Sequence, residues 1–192
     1  MAKAQVQLPT ADRIGAVALD ILEREGAEAV SMRRVASEVG ITAMAIYHHF
    51  PSRDELLHHV STRAFDQLLE RMRDREQDSL TDLLEAYIDY ALEHPLLVDY
   101  VFARERPGMR KFPEDFEAGK SPTLNVVADR ITKRIKAGDW KRDDVWELAF
   151  QMWALTHGYV ALYRAGRIGL SEKKFRALWR RAFKRLIDGL EA

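Results

Sequence analysis

The run "SMRRVASEVGITAMAIYHHFPSRDEL", Ser31 to Leu56, sets three helix starts and a glycine break in close succession. Ser31 is an N-cap for a helix over Met32–Val39, since its hydroxyl can accept from a first-turn N–H that has no partner within the helix. Val30 and Val35 stand at the spacing of a hydrophobic staple across that start. Gly40 lacks the Cβ that penalises positive φ, so the chain can turn sharply there. Thr42 then caps a second short helix, with Ile41 and Ile46 again at staple spacing, and Pro51 ends it. The run from Ser52 to Glu55 is a capping box that opens a third helix. A short helix, a tight turn and a second short helix form a helix-turn-helix, with its angle set by caps and staples rather than by a large core.

Helical periodicity continues on both sides. Ile14, Val17, Ala18, Ile21 and Leu22 recur as one amphipathic stripe between Thr10, a plausible N-cap, and Gly26, a plausible stop. The helix opened at Ser52 carries Leu56, Val60, Leu68 and Met72 on one side and runs past Arg71. Further helices are expected over Leu80–Glu93, closed by His94-Pro95, then Leu96–Ala103, Leu124–Lys136, Val145–Arg164 and Glu172–Leu190. Arg104 to Pro122, with its prolines and glycines, is expected to be a loop. The expected architecture is all-α: an N-terminal three-helix helix-turn-helix domain over residues 1–57, joined by a continuous helix to a larger C-terminal helical bundle over residues 58–192.

Charge narrows the functional classes. Thirty basic and thirty acidic residues cancel, and the first sixty residues hold more carboxylates than cations, so nucleic-acid binding has to rest on charge placement. Cysteine is absent, which excludes disulfides and thiolate metal sites. With no apolar leader and no run long enough to span a bilayer, a cytoplasmic protein is expected. His48-His49 and His58-His59 are adjacent pairs whose side chains diverge by about 100° on a helix, so neither pair clamps one ion and no metal or cofactor is expected.

A reading helix places small or polar side chains in the major groove while flanking groups grip phosphates. In the second short helix Ile46 and Phe50 hold the bundle, which leaves Thr42, Ala43, Met44, Tyr47 and His48 to project elsewhere. Thr42 suits a base edge or a phosphate, Ala43 and Met44 suit apolar contact, and Tyr47 and His49 suit phosphate oxygens. Ser31, Arg33 and the helix start at Ser52-Arg53 bring amides, helix dipoles and a few cations to the same backbone.

On the residues "SMRRVASEVGI", "AIYHHF" and "PSRDELL", all at the right spacing, residues 10–60 resemble the DNA-binding domain of the TetR (tetracycline-repressor-like) family. The resemblance implies that Tyr47, His48 and His49 contact DNA backbone or base edges and that Arg53 contacts phosphate. The family often has Lys where Ala43 stands and Gly or Pro where Met44 stands, so the operator sequence is particular to this chain. In the second lobe, "WALTHG", Trp153 to Gly158, is similar to the Trp…His-Gly signature of one TetR subgroup.

A regulator also needs an input and a symmetric partner. Tyr87, Tyr100, Phe102, Phe150 and Trp153, with Thr156 and His157 as polar contacts, are candidates to line a mostly apolar effector pocket. Leu148, Met152, Leu155, Tyr159, Phe175, Leu178, Ala182, Phe183 and Leu186 are candidates for a face that meets its copy in a homodimer. The resulting expectation is a ligand-responsive regulator, in this resemblance class most often a repressor, that binds double-stranded DNA as a homodimer and is released by a small-molecule effector. The alternative is a constitutive DNA-binding or protein-recruiting module without a ligand. No nucleophile–base pair, metal set or glycine-rich phosphate loop marks an enzyme.

Overall fold

The structure is a computed structural model and describes residues 10–75, 79–102 and 108–191. Among these residues it is helical, with one isolated antiparallel bridge between Trp140 and Glu191. Ten helices follow in order: α1 Thr10–Glu25, α2 Met32–Val39, α3 Ala43–His49, α4 Arg53–Asp74, α5 Leu80–Glu93, α6 Pro95–Phe102, α7 Glu114–Glu117, α8 Pro122–Ala137, α9 Val145–Arg164 and α10 Glu172–Asp188. Thr10 is already helical rather than a cap. The expected end at Ala103 and the loop residues 104–107 lie outside the described residues. Beyond them, the expected loop contains the single turn α7, and α8 opens at Pro122, where a missing N–H costs nothing.

The chain divides into two compact units, and the division differs from the expected boundary after residue 57. The N-terminal unit extends to Phe65, inside α4, and takes back His94–Gly108. Its core joins Ile14, Ile21 and Leu22 of α1 to Val35 and Val39 of α2, Ile46 of α3, Leu56 and Val60 of α4, and Leu97, Val98 and Val101 of α6. His94 lies at the head of α6 with Nδ1 3.0 Å from a Glu23 carboxylate oxygen, which ties that helix start to α1. At Gly15 a Cβ would sit 2.6 Å from the His59 ring, so α1 passes α4 at a distance only glycine allows.

The C-terminal unit comprises Asp66–Glu93 and Met109–Ala192. Here α9 is central and packs on α5, α8 and α10. Its buried stripe is Leu148, Ala149, Met152, Thr156 and Val160, and α10 meets it with Phe175, Trp179 and Phe183. Charges align α5 with its neighbours. Asp89 accepts from Arg75 at 2.7 Å and from Arg176 at 2.6 Å, and the buried Glu85 accepts from Arg180 at 2.5 Å.

Candidate nucleic-acid interface and aromatic site

The helix starts around α3 form as their sequences direct. Ser31 Oγ accepts from the Arg34 amide at 3.2 Å, Thr42 Oγ1 from the Ala45 amide at 3.1 Å, and Ser52 Oγ from the Glu55 amide at 3.1 Å. Gly40 closes α2 in the left-handed region, at φ 80°, and accounts for the sharp turn into α3. With Ile46 and Phe50 buried, the rest of α3 turns outward. Met44 is 81% exposed and Tyr47 50%, and Ser31, Arg33, Thr42, Ala43, His48 and His49 are also exposed. Eight of the nine expected DNA contacts therefore lie at the surface of one small bundle.

Arg53 is the exception. It is half-buried, donating from Nε to the Val30 carbonyl at 2.7 Å and from Nη2 to the Ala27 carbonyl at 2.5 Å. The guanidinium thereby ties the start of α4 to the turn that precedes α2, and two of its donors are withdrawn from any phosphate. Arg34 is also committed: it forms a bidentate pair with Glu25 at 2.6 and 2.8 Å and donates from Nε to Glu38 at 3.0 Å. The Arg34 hydrogen bond holds the Glu25 carboxyl below its usual range, and the same bond raises the Arg34 guanidinium. Arg33 makes no ion pair among the described residues.

Of the expected pocket residues, Tyr100 and Phe102 belong to α6 in the N-terminal unit, where Phe102 meets Phe65 edge-on at 5.8 Å. Thr156 is fully buried and occupied: its hydroxyl donates to the Met152 carbonyl at 2.8 Å and accepts from the Trp179 indole N–H at 3.2 Å. Tyr87, Phe150, Trp153 and His157 do come together. Ring centroids run from Phe150 to Trp153 at 5.4 Å and from Trp153 to His157 at 5.5 Å, and the Tyr87 hydroxyl is 2.6 Å from His157 Nδ1. Phe112 and Phe116 extend the series, at 4.7 and 5.8 Å from Phe150. These two were missed as individual residues, since their only sequence signal is a phenylalanine content unusual for a loop. A separate recess of about 270 Å³ is lined by Ser79, Leu80, Arg130, Lys133, Arg134, Ala137 and Asp139 and contains none of the expected pocket residues.

The expected dimer face divides as well. Leu148, Met152, Phe175 and Phe183 are buried within the chain and cannot meet a partner. Leu155, Tyr159, Leu178, Ala182 and Leu186 retain partial exposure, and Leu162 beside them is 51% exposed. The stripe that faces inward comprises those residues of α9 and α10 that point at each other and at α5 or α8. Its flank is what remains apolar at the surface.

Comparison with known proteins agrees with these elements. The model for bacterial regulatory proteins of the tetR family matches residues 14–60, which contain α2, α3 and the start of α4. HTH-type transcriptional regulators of Staphylococcus aureus are 30% identical over 83 residues, covering 42% of this chain and 45% of theirs, so the chain spans under half the length of these curated relatives. A structure of a Rhodococcus sp. RHA1 protein of unknown function superposes with a TM-score of 0.81 over 100% of both chains at 22% identity. A putative tetR family transcription regulator from Shewanella sp. PV-4 superposes with a TM-score of 0.69 over 96% of this chain and 100% of its own, at 15% identity. At such identities these two show the shared fold. A second family model, the tetracyclin repressor-like C-terminal domain, matches residues 80–186, more than half of the chain. Both lobes are thus accounted for by one lineage, and the chain belongs to the TetR family of DNA-binding transcriptional regulators.

Proposed function

We propose that this regulator is a ligand-responsive repressor of the cytoplasm that binds a palindromic operator as a homodimer and is released by a small, largely apolar molecule. The observation that carries the proposal is the outward face of α3, where large side chains stand exposed on a helix held by its caps and by Ile46. Thr42, Ala43, Met44, Tyr47 and His48 are the proposed groove-side contacts, and Ser31, Arg33 and His49 the phosphate contacts, with Arg53 holding their bundle in shape. A seven-residue helix spans few base pairs, so two copies reading half-sites about 34–36 Å apart supply the specificity. Leu155, Tyr159 and Leu162 of α9 with Leu178, Ala182 and Leu186 of α10 are the proposed symmetric face.

The effector proposal rests on the aromatic series of the C-terminal unit. Phe112, Phe116, Phe150 and Trp153 suit a flat apolar molecule, and the Tyr87–His157 pair offers it a polar contact, in keeping with the Trp…His-Gly subgroup. The route outward is α4. Its distal half is bound to α5 by a hydrogen bond from Tyr90 to Gln67 at 3.2 Å and the Arg71–Glu93 pair at 2.5 Å, and Arg75, just past its end, adds the bond to Asp89. A ligand that displaces Tyr87 on α5 therefore moves α4, whose first residues form part of the reading bundle. A coupling of about 1–3 kcal/mol changes operator affinity about 5- to 150-fold.

Selection of duplexes from a random pool tests the DNA half. The expected outcome is a two-fold symmetric site bound by two chains, whereas a strict monomer or an asymmetric site rejects it. A panel of planar aromatic compounds, ranked by thermal shift and then added to the operator complex, tests the ligand half. A binder that leaves operator affinity unchanged rejects the switch.

A further inference from the structure

The outward face of α3 lacks the side chains that usually recognise bases. From Thr42 to Phe50 the sequence is TAMAIYHHF, without Arg, Lys, Asn, Gln, Asp or Glu. Paired hydrogen bonds to guanine come from Arg or Lys, to adenine from Asn or Gln, and the cytosine amino group is read by Glu or Asp. None of these is available on this helix. Of the nearby arginines, Arg34 is occupied by Glu25 and Glu38, Arg53 by the carbonyls of Ala27 and Val30, and Arg33, on α2 rather than α3, is the proposed phosphate contact. Ahead of Tyr47, His48 and His49, what the first turn of the helix presents is apolar. Ala43 is exposed, and Met44, at 81%, is the most exposed large hydrophobic among the described residues. A flexible, polarisable thioether left in water by its own chain suits an apolar group on a partner. In the major groove that group is the C5-methyl of a pyrimidine.

We propose that Met44, with Ala43 beside it, recognises pyrimidine C5-methyl groups, so that each operator half-site carries thymine, or a methylated cytosine, at the base pairs facing Met44. The inference rests on α3 being the groove-reading helix and adds the chemistry that it reads.

The test takes the duplex selected by the intact protein and replaces each thymine singly with deoxyuridine, which removes the methyl and nothing else. At one or two positions per half-site, affinity is expected to fall about 4-fold, the value of one buried methyl group. Met44→Ala, expected to fold normally because the side chain is 81% exposed and has little packing to lose, is expected to bind the thymine and deoxyuridine duplexes equally. At the sensitive position, 5-methylcytosine opposite guanine is expected to bind better than cytosine by a similar factor. Specific binding that no deoxyuridine substitution weakens overturns the proposal and leaves DNA reading intact. A methyl effect that survives in Met44→Ala, or equal binding of methylated and unmethylated cytosine, overturns it as well. Failure to enrich any duplex removes the reading-helix assignment itself.

Discussion

Replacing Arg53 with alanine distinguishes two roles that the sequence leaves overlapping. As a phosphate contact, Arg53 contributes counterion release: its loss lowers the slope of log affinity against log salt by about 0.9 per phosphate, or about 1.8 for a symmetric dimer. As a clamp, it contributes two hydrogen bonds, 2.7 and 2.5 Å long, from a guanidinium to backbone carbonyls. Bonds to charged groups are worth about 1.5–3 kcal/mol each when well buried, and half-exposure lowers the pair to about 2 kcal/mol in total. In a chain of this size that is a fall of about 4–8 °C in melting temperature. The clamp reading therefore expects Arg53→Ala to melt earlier and to bind operator more weakly by the same factor at every salt concentration, giving parallel lines in fluorescence anisotropy titrations. Arg33→Ala is the control: it is expected to keep its melting temperature and lose slope. An Arg53→Ala protein that melts normally and binds with a shallower salt dependence would refute the reasoning.

Three further outcomes are expected. Thr156→Val leaves the buried Trp179 indole N–H without its acceptor, a loss of about 1–3 kcal/mol, while Thr156→Ser keeps the acceptor and loses one methyl, about 0.8 kcal/mol; urea unfolding that ranks valine as the milder change contradicts the assignment. Leu162→Glu puts a charge on the proposed symmetric face and is expected to weaken the dimer at least 10-fold in sedimentation while changing monomer stability by less than about 0.5 kcal/mol; an unaltered dimer means that the face lies elsewhere. Because the Arg34 hydrogen bond depresses the folded-state value of Glu25, that pair stabilises the N-terminal unit above the unfolded carboxylate value of about 4.3 and is lost as pH falls through the folded value. Glu25→Gln should therefore be less stable than the parent at pH 6, and the gap should close towards pH 3; a gap independent of pH rules out the ion pair as its cause.

The local parts of this architecture were legible in the sequence. A cap and the amide that donates to it are three residues apart, so Ser31, Thr42 and Ser52 could be identified without knowledge of the fold, and Gly40 announced its own turn. Arg53 was not legible in the same way. Its carbonyl partners lie 23 and 26 residues away, and an arginine at a helix start beside a reading helix suggests a phosphate grip whichever role it has. The apolar period of α9 and α10 marked the right helices but could not divide their surface. Met152 and Leu155 belong to the same periodic pattern, yet one is buried inside the chain and the other is on the flank. Nor does the aromatic composition of Tyr100 and Phe102 carry information about α6 packing on α1.

That packing affects how reading heads can be exchanged among relatives. A chimera joined at residue 60, where the family match for the N-terminal segment ends, would transplant α1 without the Leu97, Val98 and Val101 that cover it, and its greasy flank would face whatever the recipient supplied at that place. A workable graft has to carry two separate pieces of chain, the second taken from the far side of α5. Reprogramming this protein towards a new operator is accordingly better done by substitution on α3 than by swapping modules.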